Sequence, residues 1–398
     1  MVRQTFLFKK KHEYMYRLLI LLFLTIYGVC LLLLNNIFGF AICVLLTIFI
    51  YSFAKRKFFS KDFLLFVKKN KISSISYFLL LALIVFTFNL FRVQSNLEYL
   101  FQNNGDLMIP TEDGIKELDK TESDIKYKQI YTNENINIQS IEFERKNESF
   151  IHKIKKHLSP NEVIIIEFNS NNHFSLTADI KNNLAPISSF EALKVAKANF
   201  TLNTNFYGEN AIGEIIIDKK RFGSENKNAS GFFKVIDEKP IVGARSLFNK
   251  NMGDISYSCQ AFPSVMKNGK LFNYIKPETS PYKSIWKKKT YRNLIGTLKN
   301  GNLVCVLSYT GGLLSVKEIS IIALKYGIVN AALFDGGAAL QYQYTSEDFD
   351  LSFSALNNNF DFGEKIDEIF FTRANTHFPA KSPVYLTIKH FTTKPKLN

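Results

Sequence analysis

The chain has 398 residues, 46% hydrophobic and 21% charged, with 50 Lys and Arg against 35 Asp and Glu and a formal charge of +15. Its length exceeds one average domain. Residues 1–72 hold 12 of the basic and 2 of the acidic side chains, so +10 of the +15 lies there, and the rest is too weakly basic to argue for nucleic-acid binding.

Leu18 to Asn35, Ile37 to Ala54 and Tyr77 to Phe91 are apolar runs near the short end of what spans a bilayer, which predicts three transmembrane helices in residues 1–92. No small-residue cleavage site follows the first run, which argues against a cleaved signal peptide. Arg3, Lys9, Lys10, Lys11 and Arg17 precede the first run, and Lys55 to Lys71 separate the second from the third. This bias predicts a multi-pass protein of the cytoplasmic (inner) membrane with its C-terminal part outside, periplasmic or extracellular. The runs carry no Asp, Glu, Lys or Arg, which argues against a transporter or channel.

Residues 93–123 are polar and of mixed charge and read as a stem. The period-2 pattern of Ile130, Ile136, Ile138 and Ile141 predicts paired strands over Tyr127 to Glu144. Val163 to Ile166 marks a buried strand within Asn161 to Phe168. Ser188 and Glu191 form a capping box that opens a helix to about Lys197. Strands are predicted next at Phe200 to Tyr207, Gly213 to Asp218, Gly231 to Ile236 and Leu303 to Ser308. A second capping box, Ser315-Val-Lys-Glu318, opens a helix that ends near Tyr326-Gly327, and Ile328 to Phe334 follows as a buried strand. The expected fold is α+β: a mixed β-sheet domain around one large sheet with a few packed helices, over 124–380, preceded by the three transmembrane helices and followed by a tail, 381–398.

The last strand stops at Asp335, and Gly336 and Gly337 follow. A carboxylate at a strand's C-terminal end, beside two residues without side chains, suits chemistry on a substrate that approaches the backbone. The same residues also suit a plain Asp-led turn. Cys30 and Cys43 lie in apolar runs, and a disulfide between Cys259 and Cys305 is left open, because spacing does not supply geometry. No CxxC or HxxxH spacing occurs, His152, His157, His173, His377 and His390 are scattered, and no cofactor or metal is expected.

Six short segments fall in an order that resembles the phosphodiester glycosidase family. They are Asn203-Thr-Asn-Phe-Tyr207 for Asn-Gly-Gly-Phe-Phe, Gly213 to Asp218, Gly231-Phe-Phe233, Gln260-Ala-Phe-Pro263 for Gln-Ser-Gly-Pro, Arg292-Asn-Leu-Ile-Gly296 for Arg-Thr-Ala-Ile-Gly, and Asp335-Gly-Gly-Ala-Ala339 for Asp-Gly-Gly-Gly-Ser. The chain departs from that pattern at Thr204, Asn205, Phe262, Ala338 and Ala339, where glycines and a serine are replaced. The resemblance implies cleavage of a sugar-1-phosphodiester, in envelope glycan or exopolysaccharide metabolism.

On that reading Asp335 is nucleophile, base or electrostatic partner, and Arg292 grips phosphate with its planar fork. Asn203, Asn205 and Gln260 bind sugar hydroxyls, and the Gly336 and Gly337 amides cradle an oxyanion. Each has a plain counterpart: an ion pair for Arg292, turn positions for the asparagines, a packing role for Gln260. No second carboxylate is evident, although Glu214 and Asp218 lie nearby in sequence. The expected partners are the membrane and a sugar-phosphate or polysaccharide. The alternative function is a glycan-binding or scaffold protein without turnover.

Overall fold

A computed structural model of the chain describes residues 105–147, 161–205, 211–248, 253–273, 288–355, 360–361, 372–373 and 381–391. The chain divides into two compact units, residues 1–96 with 359–372, and residues 97–358 with 373–398. Only residues 360, 361 and 372 of the first unit are described. The second unit carries three large sheets, and all their pairings between strands are antiparallel.

The largest sheet has 10 strands. Its middle runs Asn330–Leu333, Asn293–Thr297, Leu303–Ser308, Asn161–Phe168 and Ile136–Arg145, each paired with the next. A second sheet of 5 strands is built around Gly231–Ile236 and Ile255–Ala261. The third, also of 5, runs Asp350–Ser354, Gln341–Thr345, Phe200–Asn203, Tyr385–Lys389 and His173–Thr177.

Burial on both faces explains the apolar run Val163 to Ile166. Ile164 and Ile166 point into a core shared by all three sheets, with Phe200, Leu202, Phe233, Tyr342 and Ile388. Val163 and Ile165 point the opposite way, into a second core with Leu294, Val306, Ile319 and Ile322. Strand side chains alternate, so a strand buried on both sides must be apolar at every position. Trimming one of these isoleucines to alanine is expected to cost about 2–5 kcal/mol.

Two α-helices lie among the described residues. The helix α1, Ser189–Ala196, starts at the Ser188/Glu191 capping box and ends at Lys197 in the left-handed conformation, φ 48°. The helix α2, Val316–Lys325, starts at the Ser315/Glu318 box and buries Val316, Ile319 and Ile322 against the second core. Both reciprocal caps are formed.

The α+β expectation is corrected: among the described residues the fold is largely β, with two short helices on a framework of three antiparallel sheets. The alternating runs were visible, but their pairing partners lie far apart in the chain, as with Ser175 and Thr387. No helix among the described residues is long and apolar enough to cross a membrane, which stands against the expected multi-pass membrane localisation. The runs at 18–35, 37–54 and 77–91 lie outside the described residues. Part of the segment read as a stem forms a hairpin, Leu107–Thr111 with Gly114–Glu117, whose alternation buries Leu107 and Ile109. Part of the segment read as a tail, Tyr385–Lys389, is an inner strand of the third sheet. Cys259 and Cys305 are both buried free thiols.

Candidate active site

Asp335 lies where the chain leaves the large sheet for the third. The Asn330–Leu333 strand carries the ladder as far as Phe334, whose N–H donates to the carbonyl of Asn293 (2.9 Å). Continuing that register sets Asp335 opposite Arg292. The Asp335 N–H donates across to the carbonyl of Thr204 (2.9 Å), at the end of a strand of the third sheet. A short 3-10 turn, Gly337–Ala339, then leads into Gln341–Thr345.

The carbonyl of Asp335 accepts from two amide side chains. Asn203 Nδ2 donates to it at 2.8 Å and Asn293 Nδ2 at 3.3 Å. Asn293 Nδ2 also reaches the carbonyl of Asn203 (2.9 Å), and Asn203 Oδ1 accepts from the N–H of Gln341 (3.0 Å). Both asparagines are 0% exposed. Burial pushes the Asp335 carboxyl up to about 7, and the N–H of Gly336, donating to it, opposes this only in part.

The structure therefore gives the expected site residues different duties. Asn203 is buried behind Asp335 and its Nδ2 holds the Asp335 carbonyl. Asn205 Nδ2 donates to the carbonyl of Ile212 (3.2 Å), and its Oδ1 accepts from Thr204 Oγ1 (3.0 Å), so this amide is also turned inward. Gln260 Oε1 accepts from the N–H groups of Glu214 and Asn226, both at 2.7 Å, and its Nε2 donates to the carbonyl of Asn226 (2.9 Å). Two of these bonds staple the 226 loop to the second sheet, and the third holds the backbone at Glu214. Arg292 Nε donates to the carbonyl of Leu314 (3.0 Å) and Nη2 to that of Lys288 (2.6 Å), so these donors clamp main chain rather than wait for phosphate.

The glycine amides are engaged as well. Gly337 N–H donates to the carbonyl of Tyr291 (2.7 Å), and Gly336 N–H donates to the Asp335 carboxylate. The glycines are also needed for space and backbone shape. A Cβ on Gly336 would stand 2.5 Å from the Tyr291 carbonyl oxygen, and Gly337 has φ +62°.

Glu162 is a carboxylate that the sequence reading passed over, and burial raises it too. It lies at the same end of the large sheet, since Tyr309 N–H donates to its carbonyl (2.9 Å). Three strand spacings separate it from Asp335, or about 14 Å, beyond the ~6.5–9.5 Å that a water-activating pair of carboxylates needs. Glu214 is paired elsewhere, with Arg221 (2.7 Å) and Lys234 (3.5 Å). Asp218 accepts from Tyr257 Oη (2.6 Å). Among the described residues no group of three or more His, Cys, Asp and Glu could hold a metal ion.

The phosphodiester glycosidase family matches residues 196–370. Residues 196–370 resemble a phosphodiester glycosidase domain. The matched stretch contains Asn203, Asn293 and Asp335, and the family supports a glycosidase-type function. Among solved structures, the catalytic domain of zebrafish N-acetylglucosamine-1-phosphodiester alpha-N-acetylglucosaminidase, auto-inhibited by its pro-peptide, is 12% identical. That similarity covers 67% of this chain and 87% of the zebrafish one, with a TM-score of 0.46. A hypothetical protein from Synechocystis is also 12% identical, over 66% of this chain and 63% of its own length, with a TM-score of 0.42. A putative exported protein from Burkholderia pseudomallei is 8% identical over 58% of this chain and 74% of its own, with a TM-score of 0.36. No curated protein matches the chain. The resemblance to phosphodiester glycosidases rests on the family match over residues 196–370.

Proposed function

We propose that the domain hydrolyses a sugar-1-phosphodiester, breaking the bond between the anomeric carbon and a phosphate oxygen, with Asp335 as the reacting carboxylate. The observation that carries this reading is the state of Asp335: a carboxyl lifted to about 7 by burial, at a strand end inside the family-matched stretch. A group poised near neutral pH suits proton transfer in the transition state. Phosphate is a good leaving group, so a single carboxylate suffices in principle. Asp335 takes a proton from water as the water oxygen bonds to the anomeric carbon. The carbon–oxygen bond breaks, and the phosphate monoester departs with its electron pair. Arg292, Asn203 and Gln260 serve the architecture around this step.

The test is to incubate the purified full chain with a panel of sugar-1-phosphate diesters and measure free reducing sugar, with Asp335→Asn alongside. Release by the wild type and not the variant is the expected result. Release by both would remove Asp335 from the reaction. A second reading, glycan binding without turnover, is favoured by Ala338-Ala339 in place of the family's Gly-Ser. Binding of a glycan with no product over long incubation would select it.

A further inference from the structure

The carbonyl of Asp335 is held by two side chains from two different sheets, and neither is a surface group. Asn203 comes from the third sheet and Asn293 from the large one. Their Nδ2 atoms converge on one oxygen at 2.8 and 3.3 Å, and Asn293 ties back to the carbonyl of Asn203 at 2.9 Å. A buried amide is costly to desolvate unless its bonds are made. Asn293 Oδ1 has no hydrogen-bond partner, so this residue tolerates one orphaned acceptor in order to place its Nδ2 here. A turn with Asp at its head needs no such arrangement, because backbone bonds alone would hold it.

We propose that Asn203 and Asn293 form a bracket of positioning residues that locks the backbone of Asp335 and so aims its carboxylate. The inference rests on the reading of Asp335 as the reacting group and adds Asn293, a residue that the sequence reading did not single out. The bracket works with two further restraints on the same turn, the Asp335 N–H on Thr204 and the Gly337 N–H on Tyr291. Together they fix Asp335 from both sheets, so that the carboxylate stays in its buried setting instead of relaxing toward water. The groups on the neighbouring elements are Arg292 and Tyr291, whose backbones lie beside Gly336, and the uncharged Thr204 and Asn203. Misplacing a reacting group by about 1 Å costs on the order of 10²-fold in rate.

The experiment uses Asn293→Leu, which keeps the branched skeleton and removes the donor, with Asn293→Ala and Asn203→Ala beside it. Thr387→Val is the control, since Thr387 is buried in the third sheet and bonded to Ser175 and Thr177, away from Asp335. Two readouts are taken on the full-length protein. One is the pH profile of turnover, split into kcat and KM. The other is the titration of the Asp335 carboxyl carbon by NMR, its signal identified by loss in Asp335→Asn. The bracket predicts that kcat falls by about tenfold or more with KM within about twofold, and that the titration midpoint of Asp335 drops by about one unit or more. Thr387→Val should leave both unmoved. An unchanged midpoint in folded Asn203 and Asn293 variants would overturn the bracket. If no diester is turned over, the reading of the reaction fails, and the NMR midpoint still decides the bracket by itself.

Discussion

Glu318 opens α2 and Asp335 closes the Asn330–Leu333 strand, and the segment between their neighbourhoods is short: Thr290, which adjoins Gly337, is bridged to Leu314 just before the α2 cap. Burial pushes both carboxyls up, yet they end on opposite sides of the ordinary range. Against Glu318 stand Arg145, with Nη1 at 2.6 Å, and Lys289 at 4.0 Å, and their attraction outweighs burial and holds Glu318 below its usual range. Lys289 in turn is lowered to about 8, by burial first and then by Arg145. Asp335 has only the N–H of Gly336 set against its burial and stays raised to about 7. The lesson is that burial alone does not mark a reacting group. A buried carboxylate matched by cations serves the fold, while one left in a neutral setting keeps a proton that it can exchange.

The comparison breaks most sharply if Asp335→Asn stays active. We expect it to lose at least about 10²-fold in turnover of a sugar-1-phosphodiester. Arg145→Ala should show the opposite profile, because it leaves buried Glu318 without its close partner and with only Lys289, at 4.0 Å, to offset its charge. A loss of about 3–5 kcal/mol of stability is expected from denaturant midpoints, with activity per folded molecule retained.

Stability against pH sharpens the contrast. The Asp335 pKa is raised on folding, so its contribution is fully present below the unfolded value near 3.8, falls as pH rises through about 7, and is flat above. Asp335→Asn should therefore be more stable than wild type at pH 8 by about 2–4 kcal/mol, with the gain gone below about pH 4. Glu318 is depressed instead, so its contribution is present above the unfolded value and lost as pH falls through the lower folded one. Thermal melts of both variants from pH 3 to 9 would show whether the two signs differ as stated.

The smallest expected effects lie in the turn. Gly336→Ala drives a Cβ against the Tyr291 carbonyl and should cost about 1–3 kcal/mol. Gly337→Ala meets only an ordinary 3.5 Å contact with Thr290 and should cost about 1 kcal/mol, through its positive φ. Equal losses in the two variants would contradict the packing account.

Local signals read well from the chain. The two capping boxes each opened a helix, because their hydrogen bonds lie within four residues of one another. Asp335 stood out because an apolar strand ended on it. The duties of Asn203, Asn205 and Gln260 did not read in the same way. An amide that binds sugar and one that staples backbone look identical in sequence, and the partners of Asn203 are 132 and 138 positions away. Asn293 carried a faint signal, a polar residue opening an apolar strand within a family motif, and its partner atoms were unknowable from spacing.

By itself the sequence determined the elements whose interactions are local: helix caps, strand alternation, the Asp-Gly-Gly turn and the order of motifs that marks the family. Tertiary structure decided the number of sheets, the inner place of Tyr385–Lys389 and which polar atoms meet. It also decided the protonation of Asp335. That depends on how much water the packed sheets exclude and which charges stand near, and both are set by residues distant in the chain.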